Sequence, residues 1–352
     1  VIPLVDQSPL ARFFHPVLPA RKLRRAPVRV EVAGRAFALF RDASGRARGV
    51  ADRCPHRFAP LSKGTVDAKG RIVCPYHGWA FDGEGRGASP SQPELTKCDV
   101  GAIEVVERDA YLWIGERTAA RMRDFAVDAS GTRDPAWDGY RFCGAFAVRF
   151  DAPLHVAFDN FSEDEHTPFV HTRLGWEARD AGAIGFTAEN HADRTVVHYH
   201  AKQRPSRIAQ LFGIRPGDVF HNDWVTRFDP VHTVYTTQWR DPHTDAVRPM
   251  SIKSPIYFVP ETERTTWLHT FVFARLTEPL LDRMFPLLRH VATAVAWGEI
   301  RDDARFIPTV KNTPKDLRGM RLGKYDKPII HNHKLLQRLY WGLGETGVTA
   351  DA

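Results

Sequence analysis

Cys54-Pro55-His56 and Cys74-Pro75-Tyr76-His77-Gly78-Trp79 constrain this chain more than any other feature of it. Each segment brings one thiol and one imidazole into a small clamp, and seventeen residues separate His56 from Cys74. Such ligation suits either zinc or a [2Fe–2S] cluster with histidines on one iron. Finger-type zinc sites usually place two cysteines in one clamp and two histidines in the other. Here each clamp mixes the two, which suits a group whose two metals differ. Cys54 and Cys74 would then hold an inner iron, and His56 and His77 an outer one. Histidine ligands set the potential well above that of an all-cysteine cluster. Short strands are expected from Pro27 to Glu116, with both clamps on loops between them.

The run Cys54-Pro55-His56-Arg57 … Cys74-Pro75-Tyr76-His77-Gly78-Trp79 resembles the Rieske domain of the Rieske non-heme iron oxygenases. Leu61, Ser62 and Gly64 fit that family's first cluster loop, and Gly78 and Trp79 its second. Phe13-Phe14-His15-Pro16-Val17 resembles the entry segment ahead of such domains, with His15 read as structural. A cluster alone would make an electron carrier. The chain has 352 residues, enough for two domains, so the remainder needs its own task.

A second site is suggested by Asn160-Phe161-Ser162-Glu163-Asp164-Glu165-His166-Thr167-Pro168-Phe169-Val170-His171. A helix through this segment would put Glu163 and His166 on one face. His171 would leave that face unless Pro168 distorts or ends the turn. The spacing suits the two imidazoles of a 2-His-1-carboxylate triad, which leaves open positions on a metal. The third ligand is expected far along the chain. Residues 278–307 read as one long helix, with Leu280, Leu281, Met284, Phe285, Leu288, Val291, Ala292 and Val295 at helical spacing. Continuing that stripe gives Ala296, Ile300, Asp303 and Ile307, while Glu299, Asp302 and Arg305 fall on a more polar one. An inward acid needs a partner, and a metal is one.

The resemblance implies more. The family pattern of Asn, acid, His, four residues, His falls on Asn160, Glu163, His166 and His171, and its acid pair makes Asp303 the iron ligand. Asn160 would lie near the iron. Glu163 would be the bridge that carries electrons from a cluster histidine of a neighbouring subunit; the family more often has Asp there, and Asp164 is adjacent. The implied cofactors are one [2Fe–2S] cluster and one mononuclear Fe(II) per chain. Electrons would come from NADH or NADPH through a ferredoxin or flavin-dependent reductase. The implied assembly is a homotrimer without a beta subunit. The chain is nearer in size to oxygenases that hydroxylate or remove O- or N-methyl groups than to ring-dihydroxylating subunits. Hydroxylation or oxidative demethylation of a small organic, possibly aromatic, molecule is therefore expected. Ring cis-dihydroxylation is the alternative within the class. An electron-transfer protein with an inactive second domain and a zinc-stapled binding protein are the alternatives outside it. Asn160, Phe161, Phe169, Trp224, Phe228, Trp239, Trp267, His221 and Asn222 are the candidate pocket residues.

The fold expected is α+β: an all-β Rieske domain over residues 1–120, then a helix-grip catalytic domain over 121–352 with an antiparallel sheet around a mononuclear iron. Its strands are expected near 145–150, 195–201, 219–228, 231–239, 251–259 and 265–274. A terminal helix is expected over 335–342, after an extended stretch carrying His331 and His333. The net charge of +7 is scattered, with one short cluster at Arg21–Arg25 and no nucleic-acid-recognition motif, so no nucleic-acid partner is expected. No run is long and apolar enough for a membrane helix, and a cytoplasmic setting is expected.

Overall fold

In the computed structural model the described residues are 9–95, 98–119, 134–171 and 173–343. The chain divides into two compact units, Val1–Met122 with Val259–Glu263, and Arg123–Phe258 with Arg264–Ala352. The boundary expected at 120/121 lies outside the described residues.

Among the described residues the first unit has one helical turn, α1 (Pro9–Arg12), two 3-10 turns, Ala20–Lys22 and Leu61–Lys63, and ten strands. These are β1 (His15–Pro19), β2 (Val28–Val32), β3 (Arg35–Arg41), β4 (Ala47–Ala51), β5 (Thr65–Val66), β6 (Ile72–Val73), β7 (Ala80–Phe81), β8 (Gly87–Ala88), β9 (Ala102–Arg108) and β10 (Tyr111–Gly115). One sheet runs β1-β10-β9-β4-β3-β2 and a smaller one β5-β6-β7-β8. The expected β9–β10 hairpin pairs Arg108 with Tyr111, leaving Asp109 and Ala110 as a two-residue turn. Both have positive φ, as the tight turn that matches strand twist requires. Ala38, Phe40, Val50, Leu61, Ile72 and Phe81 form a core around Cys54 and Cys74.

In the second unit come β11 (Arg141–Phe150), α2 (Leu154–Asp159), α3 (Thr167–Val170), β12 (Gly185–Asn190), β13 (Arg194–Lys202), α4 (Arg207–Leu211), β14 (Val219–Phe228), β15 (Val231–Arg240), β16 (Val247–Pro260) and β17 (Thr266–Leu276). Then follow α5 (Pro279–Arg283), α6 (Phe285–Phe306) and α7 (Lys327–Leu335). The seven strands form one sheet, β11-β17-β16-β15-β14-β13-β12. The α+β expectation therefore holds. α6 packs on β11 and β17. It lies so close that a Cβ on Gly144 of β11 would sit 2.9 Å from the Thr293 hydroxyl.

Three local expectations are corrected. The helix expected over 278–307 is two, α5 and α6, joined at Met284. Pro286 lacks an amide hydrogen and its ring crowds the preceding turn, so the helix restarts there. Leu280 is consequently 64% exposed and not on the buried stripe. The segment 163–171 is not one helix: α2 ends at Asp159, and Pro168 stands in the first turn of α3, where its missing N–H costs nothing. Finally, α7 starts at Lys327, with Pro328 in its first turn, so His331 and His333 are helical. The expected C-terminal helix is instead a π-helical turn, Leu336–Tyr340.

Candidate metal centres and an apolar cavity

The two clamp loops of the first unit are built alike. The Cys54 N–H donates to the Ala59 carbonyl (2.9 Å) and the Phe58 N–H donates back to the Cys54 carbonyl (2.8 Å). In the second loop the Cys74 N–H donates to the Trp79 carbonyl (2.7 Å) and the Gly78 N–H to the Cys74 carbonyl (3.1 Å). The fifth residue of each loop takes positive φ, Phe58 at 60° and Gly78 at 73°. Both loops thereby turn their cysteine inward and their histidine outward. Cys54 and Cys74 are buried, whereas His56 and His77 are exposed. The two imidazole rings lie 4.5 Å apart, and the Trp79 indole stacks on His56. Below them, Ser62 donates through its N–H and its hydroxyl to the buried Asp52 carboxylate, which also accepts from Arg29. Burial pushes the Cys54 thiol up to about 11, with the His56 backbone opposing and Cys74 adding. A thiol of that kind becomes a thiolate beside a metal cation, so the donor set fits one.

The second unit brings His166, His171 and Asp303 together, and among the described residues these are the group whose ligand atoms converge closely enough for one ion. His166 and His171 flank α3, the first in helical conformation and the second extended (φ −99°, ψ 144°). That change of backbone turns both rings to the same side. Nε2 of His166 is 3.2 Å from Nε2 of His171, and Asp303 Oδ1 is 3.5 Å and 3.3 Å from the two. Atoms at these spacings suit neighbouring ligands about 2 Å from a common ion. The Nδ1–H of His166 donates to Glu163 Oε1 at 2.5 Å. Nδ1 of His171 lies 3.0 Å from Glu299 Oε2, a close approach without hydrogen-bond directionality. Both Nε2 atoms thus face the centre. Asp303 Oδ1, buried and without a hydrogen bond, completes the set. Three acceptors facing one another repel unless a cation or protons stand between them. Burial opposes charge on both rings, but Asp303 and the flanking glutamates outweigh it. They raise His166 well above its ordinary value and His171 to about 9. The donor set fits a divalent metal of the facial-triad kind.

Around this core the acids differ. Glu163 also accepts from the His166 backbone, while Asp164 accepts from the Thr167 hydroxyl, has its Oδ2 buried and is pushed by burial up to about 7. Asp302 pairs with Arg173 at 2.6 Å and Arg305 at 3.2 Å. Glu299 and Arg173 are partners that the sequence did not single out. The only hint was the i, i+4 spacing of Glu299 and Asp303 on α6, which puts both carboxylates over one patch.

A cavity of about 180 Å³ opens between α6, the α2–α3 segment and the inner face of the sheet. Of the expected pocket residues, Asn160, Phe161, Asn222 and Trp239 line it. Phe169 is 76% exposed instead. His221 points to the other sheet face, stacked on His200, because Asn222 points inward and strand side chains alternate. Trp224 and Phe228 are core.

The Rieske [2Fe-2S] domain family matches residues 13–101. The chain is 35% identical over 159 residues to the oxygenase component of dicamba O-demethylase from Stenotrophomonas maltophilia, covering 43% of this chain and 44% of that one. It is 32% identical over 181 residues to chloroplastic chlorophyllide a oxygenase from Chlamydomonas reinhardtii, covering 49% of this chain and 26% of that one. Each match spans less than half the length of the relative. The crystal structure of dicamba monooxygenase bound to 3,6-dichlorosalicylic acid superposes with a TM-score of 0.71, covering 94% of this chain and 97% of that one at 20% identity. The chain thus carries a Rieske [2Fe–2S] domain joined to an α+β domain. Over the matched segments it is homologous to Rieske oxygenase components, and its fold is that of dicamba monooxygenase. Among the described residues no helix is long and apolar enough to cross a membrane.

Proposed function

We propose that this chain is the terminal oxygenase component of a Rieske non-heme iron system that hydroxylates or oxidatively demethylates a small organic molecule. The observation that carries the reading is the convergence of His166, His171 and Asp303 at one end of an apolar cavity. Cys54, Cys74, His56 and His77 hold the [2Fe–2S] cluster, and the three cavity residues hold Fe(II). When bound, these groups supply electron relay and dioxygen chemistry that side chains cannot perform. The chain's own part is geometric. Glu163 and Glu299 face the Nδ1 atoms of the two ligand histidines and keep the Nε2 atoms inward. The apolar wall excludes water from the reacting carbon.

Glu163 serves as the bridge to a cluster histidine of a neighbouring subunit. Its support is that Glu163 contacts the His166 ring directly, whereas Asp164 is bound to Thr167. Asn160 stands beside the iron as a cavity-lining amide. The reading brings with it a homotrimer, a ferredoxin or flavin-dependent reductase drawing on NADH or NADPH, and a cytoplasmic setting.

The test is iron, zinc and acid-labile sulfide per chain on anaerobically purified protein, with the visible spectrum. Three irons and two sulfides with a red-brown Rieske spectrum are expected. Two irons and two sulfides, unchanged after ferrous iron is added back, would replace the oxygenase by an electron carrier.

A further inference from the structure

The cavity's wall has a charge pattern that bears on what enters it, and the argument rests on the oxygenase reading. Among the described residues, none that lines it is lysine or arginine. Arg173 and Arg204, the two arginines that reach the chain around His171, are engaged elsewhere. Arg173 binds Asp302, and Arg204 donates to the carbonyls of His171 and Trp176. A carboxylate or phosphate would therefore lose its hydration without a partner, which is costly in an apolar site. A cationic substrate fares no better. The four acids that line the cavity all stand in the metal group or against it, Glu163 on His166, Asp164 on Thr167, Glu299 on His171 and Arg173, and Asp303 on both histidines, so a cation would compete there with the metal.

The neutral polar groups can be sorted in the same way. Tyr235 donates its hydroxyl to the Phe161 carbonyl at 2.6 Å, and the Trp239 indole N–H donates to Gln203 at 2.8 Å. Neither is left for a ligand. Asn222 on β14 and Thr237 on β15 face each other in register. The Thr237 hydroxyl donates to Asn222 Oδ1 at 2.8 Å, which fixes the amide and leaves its Nδ2 as a donor. Around this pair the wall is Phe220, Trp239, Met250 and Ile252. Asn160 Nδ2 and Thr270 Oγ1 also line the cavity, buried and without a hydrogen bond, but neither is oriented by a neighbour as Thr237 orients Asn222. An oriented donor in an apolar surface is how a site recognises one acceptor atom on an otherwise apolar ligand. Size narrows the class further. An apolar cavity of about 150 Å³ takes benzene, so 180 Å³ suits one or two rings.

We infer that the substrate is a neutral, mainly apolar molecule of one or two rings, held by an oxygen that accepts a hydrogen bond from the Asn222 amide. Its oxidisable carbon then faces the His166–His171–Asp303 end.

The test uses one-ring probes of similar size on the iron- and cluster-loaded protein, with binding measured anaerobically by calorimetry. The probes are methyl benzoate (neutral, one acceptor), benzoate (anion), benzylamine (cation) and propylbenzene (neutral, no oxygen). Methyl benzoate is expected to bind at least about tenfold more tightly than either ion. Asn222→Leu is expected to weaken methyl benzoate by about fivefold to tenfold, the worth of one hydrogen bond, and to leave propylbenzene unchanged. Thr237→Val, a milder change that frees the amide to rotate, should weaken the ester alone and by less. Benzoate or benzylamine binding as tightly as the ester overturns the inference. So does equal loss of both neutral probes in the variants, or binding of none. Product analysis after aerobic reduction separates the two claims. The expected binding order without any iron-dependent oxygenated product sinks the oxygenase reading and leaves the cavity's selectivity standing. Oxygenation of benzoate alone does the reverse.

Discussion

Glu299 and His171 meet with Oε2 3.0 Å from Nδ1, and Glu299 stands one helical turn before Asp303 on α6. One helix thus supplies both the carboxylate that faces the metal position and the one behind the ligand ring. Arg173 reaches back to both Glu299 and Asp302 and ties the arrangement to the chain just after His171. Partners behind ligand histidines are commonly worth 10- to 100-fold in metal affinity. Glu299→Gln is expected to lower Fe(II) affinity by roughly tenfold, read by chelator competition on the metal-depleted second site. Unchanged affinity would mean that the contact is incidental.

Asp303 is 3% exposed and its Oδ1 has no hydrogen bond. Asp303→Ala removes the anionic ligand without touching the first unit. The expected result is loss of one iron per chain with labile sulfide and the cluster spectrum intact. Loss of sulfide as well would show that the two sites do not load independently.

Gly64 sits where a Cβ would lie 1.9 Å from the Val73 carbonyl oxygen, immediately before Cys74. That oxygen belongs to backbone and cannot step aside cheaply. Gly64→Ala is therefore expected to displace the second clamp and strip the cluster, while the seven-stranded unit keeps its iron. Full sulfide content in the variant would contradict this.

Two buried histidines give opposite pH signatures. Burial holds His15 down to about 3, against the pull of the Phe13 backbone. The unfolded chain then binds a proton that the folded chain refuses. Stability from this group is complete above its ordinary value of 6.5 and is lost as pH falls toward 3, with a slope of about 1.4 kcal/mol per pH unit. His333 is the reverse: burial opposes its charge, but Asp159 at 2.7 Å prevails and raises it. Its contribution is full below 6.5 and fades as pH rises through the folded value. Urea unfolding across pH should show a shallower acid limb in His15→Gln and a shallower alkaline limb in His333→Gln. Parallel limbs in either variant would remove that histidine from the account.

How much of this the chain discloses depends on the range of the interaction. The clamp residues are separated by one residue in Cys54-Pro55-His56 and two in Cys74-Pro75-Tyr76-His77, so their geometry is nearly covalent and can be read directly. Strand alternation located most of the sheet for the same local reason. Asp303 was reachable because helical periodicity carries an inward face along α6. Arg173 pairing with Asp302, and Glu299 facing His171, depend on how α6 lies against the chain after α3, which no local pattern encodes. Proline shows the same dependence. Pro168 and Pro286 each stand in a first turn, and which side of a proline stays helical is decided by packing.

The chain leaves the metal group at His171 and returns to it only at Asp303, having laid down six of the seven strands of the second sheet in between. An ion held there would act as a cross-link between the two ends of that excursion. Its removal would relax a topological constraint as well as a ligand shell. Iron loading can therefore report the completion of folding, since half-built sheets have no means of bringing the third ligand home.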